Sequence, residues 1–92
     1  MNLNFVKTIE VKEFKTLVKT ESINVFKNCE GKPYMRFTAD DIEHVFPVSQ
    51  QSPLKDIQQD PVITICENVE TGEVLYMLHK RSDKAHSLQF SL

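Results

Sequence analysis

Two cysteines and three histidines, Cys29, Cys66, His44, His79 and His86, carry the atoms in this sequence best suited to hold a metal or to act as nucleophile and base. Their spacing contains neither Cys-x-x-Cys nor His-x-x-x-His, and a metal site needs three or four converging ligands. Neither a metal nor a cofactor is therefore expected. Cys66 and His79 fall near one another across a predicted hairpin, and a thiolate beside an imidazole is in principle nucleophilic. Cys66, however, continues the run Ile63-Thr64-Ile65 and reads as a small buried hydrophobe, while His79 precedes Lys80-Arg81 and reads as exposed. Asp40 and Asp41 form an acid pair, but neighbours at a helix start point in different directions, and capping accounts for them. The expectation is a non-enzymatic protein.

Binding chemistry is better represented. Lys27, Lys32 and Arg36 are interleaved with Phe26, Tyr34 and Phe37 on one short segment. Cations beside exposed aromatic rings on a sheet are a common way to hold single-stranded nucleic acid, because bases stack on the rings while the phosphates meet the charges. Tyr34 and Arg36 share a strand face by parity. The candidate surface is thus Phe26, Lys27, Lys32, Tyr34 and Arg36. A sequence pI of about 5.9 and the absence of Trp weigh against it. The expectation is therefore a protein-interaction or self-association module that binds a protein partner or a second copy through its sheet face or edge, since a small sheet has edges that can accept a strand, with single-stranded nucleic acid as the alternative.

The elements that must position these residues are organised around a repeated pattern. Residues 23–35 read I-N-V-F-K-N-C-E-G-K-P-Y-M and residues 63–77 read I-T-I-C-E-N-V-E-T-G-E-V-L-Y-M. Both place β-favouring residues around a polar loop whose glycine can take positive φ, which predicts two β-hairpins. With the tightest loops, Phe26 faces Met35 and Cys66 faces Met77; a four-residue loop over 69–72 is an equal alternative for the second. The sequence leaves open which face Tyr34 and Tyr76 occupy.

Elsewhere, alternation over Leu3 to Ile9 predicts a first strand, and Val11, Phe14, Leu17 and Val18 fall at helical spacing. Thr38 to Asp41 followed by Ile42, Val45 and Phe46 predicts a second short helix stopped by Pro47. Residues 47–61 carry four Gln and three Pro and read as a loop. Leu88, Phe90 and Leu92 alternate with Ser87, Gln89 and Ser91 as a last strand. The predicted fold is a single α+β domain over 1–92, an antiparallel sheet of about five or six strands packed by one amphipathic helix, with a second short helix.

Composition fits one such domain: 92 residues, 40% hydrophobic. The net charge of −2 is unevenly spread, with seven Lys/Arg against four Asp/Glu in residues 1–38, one against eight in 39–73 and three against one in 74–92. Such segregation orients charged partners and disfavours indiscriminate attraction to nucleic acid or anionic membrane. The apolar runs are short and the first residues lack the apolar centre of a secretory signal, so a cytoplasmic protein with reduced thiols and no membrane association is expected.

The runs E-V-K-E-F-K, V-F-K-N-C-E-G-K and V-L-Y-M-L-H-K-R together resemble a Bacteroidetes-like group of small uncharacterised bacterial proteins, which pair a short helix with N-x-x-x-G-K-type hairpins and a late Tyr-x-Leu-His-Lys strand. The resemblance spans most of the chain. It implies the same α+β fold and a bacterial cytoplasmic setting, and the group has no assigned activity that would assign a site here.

Overall fold

The computed structural model describes residues 3–84. The chain forms β1 (Leu3–Glu10), α1 (Val11–Val18), β2 (Asn24–Lys27), β3 (Pro33–Ala39), β4 (Ile42–Pro47), α2 (Leu54–Gln59), β5 (Pro61–Asn68) and β6 (Val74–Lys80). The fold is α+β, as its pattern predicts, but the strands form two three-stranded antiparallel sheets, β1–β5–β6 and β2–β3–β4, instead of one larger sheet. They meet where Val48, just past β4, bridges Leu78 of β6 in parallel and Ser49 N–H donates to the Leu78 carbonyl at 2.8 Å.

Alternation in each sheet sends one set of side chains between them. Met35, Phe37 and Ala39 of β3 are buried, as are Ile63 and Ile65 of β5 and Leu78 of β6. Phe14 of α1 is wholly buried at the junction, its ring edge-on to Phe37 at 5.2 Å and to Tyr76 at 5.0 Å. It therefore fastens α1 to both sheets. Phe46 of β4 meets Tyr76 edge-on at 5.1 Å, so Tyr76 faces inward. Burial of this cluster supplies what an eight-residue helix lacks on its own.

Three expectations are corrected. The helix predicted over 38–46 is strand β4: Ile42, Val45 and Phe46 satisfy a helical period, but Ile42, His44 and Phe46 also alternate, and β3 offers a complementary edge. Asp40 and Asp41 are not a cap but a two-residue turn with φ of 54° and 62°, positive at both positions as a type I′ hairpin requires. The loop predicted over 47–61 contains α2, which starts after Pro53 and buries Ile57 completely; two anchors, Leu54 and Ile57, hold a helix that its polar residues conceal. Third, neither tight-loop pairing holds: Phe26 pairs with Tyr34 and Cys66 with Leu75. The strand predicted around Leu88, Phe90 and Leu92 lies outside the described residues.

The two asparagines of the repeat explain the loops. Asn28 Oδ1 accepts the N–H groups of Glu30 and Lys32, both at 2.9 Å, and Gly31 takes φ 79°. Asn68 Oδ1 accepts from Glu70 at 3.0 Å and Thr71 at 3.4 Å, with Gly72 at φ 75°. The second loop is the four-residue alternative, closed by Asn68 N–H to the Glu73 carbonyl at 2.8 Å. In both copies the Asn side chain pairs loop amides that would otherwise lack acceptors.

Candidate nucleic-acid interface

The loop geometry around Asn28 sets the register of the first hairpin, and the register decides what its outer face displays. Asn24 pairs with Arg36, Phe26 with Tyr34, and Lys27 with Pro33. Since Met35, Phe37 and Ala39 point inward, Tyr34, Arg36 and Thr38 point outward, and β4 adds Val45 opposite Arg36 and Glu43 opposite Thr38. Pro33 is the first residue of β3, where its missing N–H leaves the ladder intact.

On that outer face the Phe26 and Tyr34 rings stack with centroids 6.0 Å apart and an interplanar angle of 26°. The Arg36 guanidinium lies 5.4 Å from the Phe26 centroid, a cation–π contact. Both rings are half-buried and Arg36 is exposed. Lys27 and Lys32 lie at the loop end of the same hairpin, also exposed, while Asp40, Asp41 and Glu43 lie at the opposite end of the sheet. The face is therefore graded from basic to acidic along β3. Of the sequence-predicted cluster, Phe26, Tyr34 and Arg36 come together, Lys27 and Lys32 flank them, and Phe37 does not join: it is 4% exposed and belongs to the core.

Arg81 bridges Glu10 at 2.7 Å and Asp60 at 3.0 Å, tying the end of β1 to the end of α2, and its hydrogen bond holds the Glu10 carboxyl below its ordinary range. By contrast, the Arg36 side chain makes no hydrogen bond or ion pair with a described residue.

The Cys66–His79 couple does not form. His79 is not exposed but 1% accessible, paired with Val62, and no hydrogen bond joins it to Cys66. Its Nδ1–H donates to the Lys80 carbonyl at 2.9 Å, which leaves Nε2 to accept from the Thr64 hydroxyl; Thr64 in turn accepts from Thr8 at 2.8 Å. This chain crosses all three strands of the β1–β5–β6 sheet and had no motif to announce it. Burial lowers the pKa of His79 and raises that of the Cys66 thiol, so both are held neutral. Cys29 is exposed in the first hairpin loop and, like Cys66, is free. Among the described residues no three His, Cys, Asp or Glu side chains are grouped to hold a metal ion, and no helix is long and apolar enough to cross a membrane.

Comparisons with protein-family models, with curated proteins and with solved structures returned no match. The site is accordingly read from its own chemistry.

Proposed function

We propose that this chain is a non-enzymatic binding module that holds single-stranded nucleic acid on the outer face of the β2–β3–β4 sheet. The observation that carries the reading is the Phe26–Tyr34 stack with the Arg36 guanidinium, which no described residue pairs, over the Phe26 ring, on an exposed face flanked by Lys27 and Lys32. Bases stack on such rings whatever their sequence, each contributing about 1–3 kcal/mol, while the cations attract the backbone. The acidic turn at the far end confines that attraction to one part of the face, which reconciles a net charge of −2 with an anionic ligand.

The test is fluorescence anisotropy of a labelled oligothymidylate at low salt. Wild-type protein binds, and Arg36→Glu weakens binding by about tenfold or more, with affinity falling as salt rises. Absence of wild-type binding rejects the reading.

A second reading, docking of another copy of this chain on the same face, is favoured by the apolar flank: Val45, opposite Arg36, is 47% exposed. Light scattering separates the two, because self-association makes the mass concentration-dependent without any oligonucleotide and is lost in Val45→Asp.

A further inference from the structure

Beside the aromatic stack, the residues that follow α1 form a notch against β2 and β3 with a volume of about 320 Å³. Lys19, Ser22, Asn24, Arg36 and Thr38 line it, together with Glu21. We propose that this notch is a phosphate subsite, taking a phosphodiester of the strand whose bases lie on Phe26 and Tyr34; it rests on the nucleic-acid reading and names which group of that ligand goes where.

Arg81, elsewhere on the surface, spends its donors on Glu10 and Asp60. The polar side chains around the notch are exposed and turn theirs to solvent. The Lys19 ammonium, the Ser22 and Thr38 hydroxyls, the Asn24 amide and the Arg36 guanidinium make no side-chain hydrogen bond with a described residue, although all line one concavity. Arg36 uses its face on Phe26, which leaves its N–H edge to meet an oxyanion.

Backbone geometry fixes the approach. Lys19 caps α1 in the left-handed region, at φ 59° and ψ 51°, and Thr20 N–H closes the turn on the Lys15 carbonyl at 3.0 Å. That turn sets Lys19 on the rim of the same notch as Arg36, which the Asn24–Arg36 register pair also lines. Two cations against the single carboxylate of Glu21 leave the notch net positive, less the roughly half negative charge of the carbonyl end of α1. A phosphate group, with its several acceptor oxygens, complements ammonium, guanidinium, amide and hydroxyl donors together.

Glu21 makes the proposal testable by gain as well as loss. In oligothymidylate titrations, Lys19→Gln is expected to weaken binding by about three- to tenfold and to flatten its salt dependence, while Glu21→Gln strengthens it by about threefold. A stronger Glu21→Gln cannot be ascribed to misfolding. If the wild type and Phe26→Ala differ in affinity but Lys19→Gln and Glu21→Gln match the wild type, the face binds and the notch is refuted. If no oligonucleotide binds at all, the function proposed above fails and tripolyphosphate decides the notch alone: amide shifts at Ser22, Asn24 and Thr38 that Lys19→Gln abolishes sustain it, and their absence overturns it.

Discussion

The Arg36 guanidinium rests 5.4 Å from the centroid of the Phe26 ring and pairs with no carboxylate of a described residue, whereas Arg81 is held by two. One arginine fastens the fold and the other is presented on its surface. A guanidinium lying on an aromatic plane keeps its donors oriented and loses little freedom when it meets an anion. This contrast, more than total charge, is the ground on which the outer face of β2–β3–β4 is proposed as the binding surface.

Phe14 joins α1 to both sheets, so its removal should be felt throughout the chain. Phe14→Ala is expected to cost about 3–5 kcal/mol, a large part of the roughly 5–15 kcal/mol by which small domains are stable. Urea denaturation monitored by circular dichroism measures it. Phe26→Ala, on the open face, is expected to cost less than about 1 kcal/mol in the same assay.

The pH dependence follows from His79. Burial depresses its folded-state pKa below the ordinary 6.5, and the unfolded chain titrates near that ordinary value. As pH falls through 6.5 the unfolded state takes up the proton first, so stability declines; above that range both states are neutral and the effect vanishes. Asp83, whose charge favours the protonated imidazole, limits the shift without reversing it. Denaturation at pH 7.5, 6.5 and 5.5 should give falling stability in the wild type and a flatter profile in His79→Gln. Equal slopes in the two proteins would show that His79 is not the titrating group.

Asp40 and Asp41 supply a test of the β3–β4 hairpin. Both occupy positive φ, where glycine is unstrained, so Asp41→Gly is expected to stabilise the protein by about 0.5–1 kcal/mol. Were residues 42–46 helical, glycine near the helix start would be neutral or destabilising. Midpoints of urea denaturation distinguish the outcomes.

Sequence patterning reveals β1, α1 and both hairpins because each has one dominant period. Strand β4 was ambiguous, since Ile42, Val45 and Phe46 sit at helical spacing while Ile42, His44 and Phe46 alternate; the partner strand made the choice. Helix α2 is anchored by Leu54 and Ile57 alone, too few to stand out among glutamines. The division into two sheets depends on β5 pairing with distant β1, which local pattern does not encode. At the site, parity correctly joined Tyr34 to Arg36 and sets Phe37, interleaved with them in sequence, on the opposite face, where it is buried. Lys19 gave no signal: the left-handed turn after α1 is what sets it on the notch that Arg36 also lines.

The most direct measurement is a two-dimensional amide NMR titration of ¹⁵N-labelled protein with oligothymidylate at low salt. Binding on the outer sheet face predicts the largest shifts at Phe26, Lys27, Tyr34 and Arg36, with little change at Phe14, Ile63 or Arg81. No shifts, or shifts centred instead on the separate groove that Glu10, Leu17, Asp60 and Arg81 line between α1 and the end of α2, would contradict it.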